Sequence, residues 1–125
     1  MLVDDDDGFR AIARAVLIAD GLRVVADTSD PCDALARWRD VRPDVIVLDE
    51  VMDDLSGLQL AGRVLRDDPE QPIIMLTADA TRGLVAAAAM AGIYDVLAKV
   101  DLAELSDVVR KVFVARAMHQ LEEDR

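Results

Sequence analysis

Val45-Ile46-Val47-Leu48-Asp49-Glu50 sets four consecutive apolar residues, three of them β-branched, directly before two acids. A run so short and so rich in β-branched side chains reads as a strand buried on both faces, because no polar alternation marks a solvent side. Ile73-Ile74-Met75-Leu76, closed by Thr77, repeats the pattern, and Val24-Val25-Ala26 is a shorter version of it. Around these runs apolar residues recur at helical spacing. Phe9, Ile12, Ala13, Val16 and Leu17 form one stripe, Ala34, Leu35 and Trp38 another, and Leu58, Ala61, Val64 and Leu65 a third. Leu84, Val85, Ala88 and Ala89 make a weaker one, and Leu102, Leu105, Val108, Val109, Val112 and Phe113 complete the series. Strands are expected near residues 1–4, 22–26, 44–49, 72–77 and 93–98, each followed by a helix. That alternation predicts an α/β class, a doubly wound five-stranded parallel sheet with five helices covering both faces. Asp30 before Pro31 marks one helix start, and Asp101 with Glu104 resembles a capping box at another.

The 125 residues suit one domain, which at this size buries roughly two-thirds of the surface of its unfolded chain. Hydrophobic residues make up 53% and charged residues 31%, a composition that excludes disorder. Apolar runs stop well short of the ~18 residues of a membrane span. The opening Met1-Leu2-Val3 turns acidic at once and shows no leader pattern, so the expected location is cytoplasmic. With 25 acids against 14 Lys and Arg, the net charge of −11 repels phosphate backbones, which argues against direct nucleic-acid binding. The lone Cys32 excludes an internal disulfide and reads as a buried packing residue. One domain over residues 1–121 is expected, with a helical tail from about residue 114 and no output domain.

In doubly wound sheets ligands bind outside the carboxyl ends of the strands, and here those ends are polar. The first strand runs into Asp4-Asp5-Asp6-Asp7, the third ends at Asp49-Glu50, the fourth at Thr77, and the fifth carries Lys99. Crowded carboxylates raise one another's pKa unless a cation neutralises them, and a hard, oxygen-lined site with few protein ligands suits Mg²⁺. A carboxylate is also a nucleophile toward phosphorus when positive charge stabilises the transferring oxygens. Mg²⁺ and Lys99 would supply that charge, and the Thr77 hydroxyl a hydrogen bond.

Val3-Asp4-Asp5 with Arg10, Val47-Leu48-Asp49 with Met52 and Gly57, Leu76-Thr77-Ala78, and Ala91-Gly92 before Lys99 together resemble the receiver domains of two-component response regulators over essentially the whole chain. The resemblance implies a flavodoxin-like (βα)5 receiver fold, apparently stand-alone, that works as a phosphorylation-dependent signalling switch or phosphorelay module. It implies that Asp4, Asp5, Asp49 and the Val51 backbone carbonyl hold Mg²⁺. It further implies that Asp49 accepts phosphate from a histidine kinase or phosphotransfer protein, that Thr77 senses the phosphoryl group, and that Lys99 bonds to it. The implied output is a changed surface for a downstream protein target, with homodimerisation through the fourth-helix, fifth-strand, fifth-helix face as an alternative. No enzyme activity is expected beyond self-phosphorylation and self-dephosphorylation.

Three positions depart from the family pattern. Val100 follows Lys99 where the family commonly has a cis proline, and Asp53 replaces a second proline. Val96 stands at the aromatic switch position, so a smaller Val96 movement, or a shift of the fourth helix containing Gly83, would have to carry the signal. Two rival readings follow: a phosphorylation-independent pseudo-receiver, and a phosphatase or dehalogenase-like hydrolase. The second usually needs Asp-x-Asp, and Val51 fills its second acidic position. Among the remaining residues, Asp6 and Asp7 read as solvated, His119 as solvated and partnerless, and Trp38, Met52 and Met75 as core. Gly57 reads as a tight-turn residue. Val114, Ala117, Met118 and Leu121 form a second narrow stripe past the core positions of the last helix.

Overall fold

The two strongest apolar runs become the middle of the sheet. In the computed structural model, which describes residues 1–124, Ile46–Asp49 forms β3 and Ile73–Thr77 forms β4. Every residue of both strands is buried. The remaining strands are β1 (Leu2–Val3), β2 (Asp27–Thr28) and β5 (Asp95–Ala98). The helices are α1 (Asp7–Ala19), α2 (Pro31–Val41), α3 (Gly57–Asp67), α4 (Arg82–Ala91) and α5 (Leu105–Glu123), with an irregular 3₁₀ turn over Lys99–Glu104. All pairings are parallel, in the order β2-β1-β3-β4-β5, with Leu2 beside Val47 and Val47 beside Ile74. No helix among the described residues is long and apolar enough to cross a membrane.

The two-residue period of the strands divides the core into layers. Val3, Ile46, Leu48, Ile73 and Met75 pack with Ala34, Trp38, Leu60, Ala61, Val64 and Ala88, so α2, α3 and α4 cover one face. Leu2, Val47, Ile74, Leu76 and Leu97 pack with Ala13, Leu17, Leu105 and Val112, which puts α1 and α5 on the other. Ile73, Ile74, Met75 and Leu76 are each 0% exposed, and burial of such side chains stabilises the fold by roughly 1.5–3 kcal/mol apiece. Trp38 and Met52 are buried as expected, the indole Nε1 donating to Gln71 Oε1 at 2.9 Å.

Several expectations need correction. The second strand is Asp27–Thr28, not residues 22–26, although Leu2 N still donates to Ala26 O at 3.0 Å. Its only neighbour is a β1 of two residues, which limits the ladder to the same length. Asp101 and Glu104 form no capping box, since they lie in the 3₁₀ turn and Glu104 caps α5 without a side-chain hydrogen bond. The true capping box is Ser56 with Gln59 at α3, while Asp6 and Thr81 cap α1 and α4. Asp30 caps α2 ahead of Pro31 as read. Cys32 is exposed on α2, not buried. The last helix runs unbroken past residue 114 to Glu123.

Gly57 opens α3 with no positive φ, so its need for glycine is a matter of space and not of turn geometry. A Cβ there would collide with the Asp49 carbonyl oxygen and sit 3.0 Å from Leu48 Cδ1 and Met75 Cε. Gly62 in the same helix has nothing within 4 Å of such a Cβ. Gly57→Ala is expected to destabilise the protein by roughly 1–3 kcal/mol through overpacking, and Gly62→Ala to stabilise it by roughly 0.5–1 kcal/mol. Urea unfolding of the two variants checks this, and equal effects at both sites would contradict the packing argument.

Candidate functional site

Asp4 leaves β1 and Asp49 ends β3, the adjacent strands at which the sheet order reverses. The following helices, α1 and α3, depart to opposite faces and open a crevice at the carboxyl edge. Within it, carboxylate oxygens of Asp4, Asp5 and Asp49 all lie within 4.8 Å of one another. Asp4 is 0% and Asp49 6% exposed, whereas Asp5 faces solvent. Neighbouring backbone is tied down: Asp4 N donates to Thr28 O, and Arg10 Nη1 donates to Asp4 O at 2.7 Å while its Nε reaches Asp27 Oδ1 at 3.3 Å.

Lys99 enters from the end of β5. Its Nζ lies 3.0 Å from Asp4 Oδ2 and 3.4 Å from Asp49 Oδ1, and 4.4 Å from the centroid of the Phe9 ring. The ammonium is thus held by two carboxylates and an aromatic face, a combination that favours its charged form. Burial pulls the Lys99 pKa down, but Asp4 and Asp49 outweigh it and hold it above its ordinary value. Asp49 moves upward from 3.8 to about 6, first through burial and then through the charge of Asp4, with Lys99 offsetting part of the rise.

Three carboxylates against one ammonium leave a formal charge of −2 in a crevice where Asp4 and Asp49 are buried. Asp4 Oδ1 accepts the Asp6 N–H at 2.9 Å, and the fully buried Oδ2 meets only the Lys99 ammonium, 3.0 Å away. A buried carboxylate oxygen with an unused lone pair, facing two further carboxylates, is a donor set suited to a small hard divalent cation. Asp4, Asp5 and Asp49 therefore fit Mg²⁺ and would hold it.

Thr77 ends β4 at the same edge, 1% exposed. Its hydroxyl is not turned to Asp49: it donates to Glu50 Oε1 at 2.6 Å and accepts the Asp79 N–H at 3.2 Å. The structure thus brings Asp4, Asp5, Asp49 and Lys99 into one contact group and places Thr77 beside it in a different partnership. Val51 has an exposed side chain, Val96 is half-buried against the α3–α4 side of the core, and the Lys99–Val100 bond is trans. Glu50 escaped the sequence reading, because an acid after a strand-end acid gives no signal of which hydroxyl it will meet. The helical spacing of Phe9 signals only a core position.

His119 does have partners, contrary to expectation. Its Nε2 lies 2.9 Å from Glu123 Oε1 one turn along α5 and 3.8 Å from Glu70 Oε1 in the turn before β4. The Glu123 spacing of four was readable, whereas Glu70 is brought in only by tertiary folding. All three are exposed, at the sheet edge opposite the crevice.

The family model for the response regulator receiver domain matches residues 1–110. The chemotaxis protein CheY of Listeria monocytogenes is 27% identical over 99 residues, covering 79% of this chain and 83% of that protein. A protein-glutamate methylesterase/protein-glutamine glutaminase of Anaeromyxobacter dehalogenans is 34% identical over 88% of this chain but only 33% of its own length. Among solved structures, a two-component response regulator of the LuxR family from Aurantimonas superposes with a TM-score of 0.85 at 26% identity, covering 93% of this chain and 84% of that one.

The raised Asp49 pKa has a consequence for stability when metal is removed. Between about pH 4 and about 6 the folded state binds more protons at Asp49 than the unfolded state does, so stability from this group falls as pH rises through that window. Asp49→Asn removes the penalty and leaves the Asp4–Lys99 pair in place. In chelator-treated protein at about pH 7.5 the variant should be more stable than the parent by roughly 1–3 kcal/mol, with the gap closing below about pH 4. Denaturant titrations across pH check this, and a gap that does not change with pH would contradict it.

Proposed function

The chain belongs to the response regulator receiver family, and on that premise we propose that it is a phosphorylation-dependent signalling switch whose phosphate acceptor is Asp49. The observation that carries the reading is the grouping of Asp4, Asp5 and Asp49 around Lys99 Nζ at the carboxyl edge of the sheet. In the proposed reaction an Asp49 carboxylate oxygen attacks the phosphorus of a phosphohistidine donor. An acyl phosphate forms as the P–N bond breaks, and its electron pair leaves with the imidazole. Asp4, Asp5, Asp49 and the Val51 carbonyl would hold Mg²⁺, which would supply charge neutralisation for the transferring oxygens. Lys99 adds a fixed positive charge beside Asp49, already oriented by Asp4 and Phe9, so little reorganisation is needed at the moment of transfer. Thr77 would donate to the phosphoryl group once it forms. The donor would be a histidine kinase or phosphotransfer protein in the cytoplasm, and residues 1–121 would act as one receiver unit. Nothing observed in the site favours the pseudo-receiver or hydrolase readings.

The output surface in this reading is the α4, β5 and α5 face, where Met90 of α4 stands out at 90% exposure. Val114, Met118 and Leu121 extend an apolar strip along α5, each more than half exposed. A second copy of the chain or a protein target would cover it.

The central test is mass spectrometry after incubation with a small acyl or amido phosphate. One phosphoryl group should appear only with Mg²⁺ and vanish in Asp49→Asn, and label that survives in the variant would sink the site. Met118→Glu with Leu121→Glu should weaken self-association or target binding without lowering the melting temperature. Light scattering that shows a monomer before and after phosphorylation, in parent and variant alike, would refute the homodimer form.

A further inference from the structure

Thr77 has one hydroxyl proton, and Glu50 takes it. The 2.6 Å bond to Glu50 Oε1 is charge-assisted, and the second acceptor nearby, Asp79 O, is farther at 3.2 Å. With its single O–H donated to Glu50, and a lone pair accepting the Asp79 N–H, the hydroxyl has no donor capacity left for a group on Asp49. Among the described residues no ion pair reaches Glu50, so the hydroxyl is the one side-chain partner of this carboxylate.

The backbone around this bond is fixed. Glu50 N donates to Leu76 O at 2.9 Å, Gly57 N donates to Glu50 O at 2.8 Å, and Thr77 is in register with Ala98 of β5. Only side-chain rotation can part the two groups, and Glu50, half-buried, has a route into water.

We propose that Glu50 is a positioning residue that latches the switch: it holds the Thr77 hydroxyl in the resting protein, and phosphorylation of Asp49 works by exchange, Thr77 giving up Glu50 for a phosphoryl oxygen. This rests on the reading of Asp49 as acceptor. The latch sets a threshold, because a charge-assisted hydrogen bond must be surrendered before the new one forms. It also gives the chain a switching element on Glu50 and Thr77 themselves, where Val96 offers no aromatic ring to rotate.

The test uses beryllofluoride, a phosphoryl mimic, titrated with saturating Mg²⁺ and followed by NMR of the Thr77 methyl and amide signals. Glu50→Ala should bind the mimic ~tenfold more tightly than the parent, and Glu50→Gln, which keeps the shape with a neutral acceptor, ~threefold more tightly. In a Thr77→Val background the same Glu50 substitutions should change affinity by less than ~twofold. Unchanged affinity in both single variants overturns the latch, and so does an equal gain with and without the Thr77 hydroxyl, which would mark a simple charge effect. Glu50→Gln, close in shape to the parent, keeps the comparison decisive if the alanine variant folds poorly. A parent that binds no mimic with Mg²⁺ present removes the acceptor reading and the latch together, a result distinguishable from failure of the latch alone.

Discussion

A carboxylate that is 0% exposed is costly to bury without a partner, and Asp4 has Lys99 Nζ 3.0 Å away. That ion pair joins the first strand of the chain to the turn after the last, across the point where the sheet order reverses. The contact can form only if β1, β3, β4 and β5 lie in register, so it depends on four of the five strands. Asp49 adds a second buried acid beside the first, which lifts its own pKa toward neutrality and leaves the crevice short of positive charge. Negative charge therefore exceeds positive charge where the strands end, and a cation held there would balance it.

The surrounding elements serve to hold this arrangement still. Arg10 fastens the Asp4 carbonyl, Phe9 lies against the Lys99 ammonium, and the absence of a side chain at Gly57 lets α3 begin against the Asp49 carbonyl. Each comes from a helix start next to the site and not from the sheet. This explains why a glycine with ordinary backbone angles has no room for a methyl group: the first turn of α3 is packed directly on the strand that carries the acid.

Much of this was legible because it follows from short-range rules. Runs without alternation gave β3 and β4, and the polar residues at the run ends gave Asp4, Asp49, Thr77 and Lys99 before any contact was known. What failed depends on neighbours. Val24 and Val25 look like strand, but an edge strand is only as long as the partner beside it, and β1 pairs over two residues. Asp101 and Glu104 have capping-box spacing, yet the chain leaving Lys99 passes through a turn interrupted at Asp101 before α5 begins. Glu50 with Thr77, and His119 with Glu70, are partnerships made by strand packing or by folding α5 back along the sheet, and no local spacing encodes them.

The uneven anchoring of the helices bears on how a change at Asp49 would travel. Helix α3 buries Gly57, Leu60, Ala61 and Val64, whereas α4 buries only Ala88. Near its start α4 has Gly83, with nothing within 4 Å of where a Cβ would be, and its hold on the core otherwise rests on half-buried Leu84. Few buried contacts mean a low free energy for local displacement, so α4 is the helix most easily moved without disturbing the sheet. Thr77 and Asp79, which lead into it, share the hydrogen-bonded turn that Glu50 closes. Val96 on the neighbouring strand packs against the same side of the core as Leu84. A rearrangement at the Thr77 hydroxyl would therefore meet a loosely held helix directly, through the turn that precedes it, and on the proposed latch would need no ring at position 96 to carry the motion.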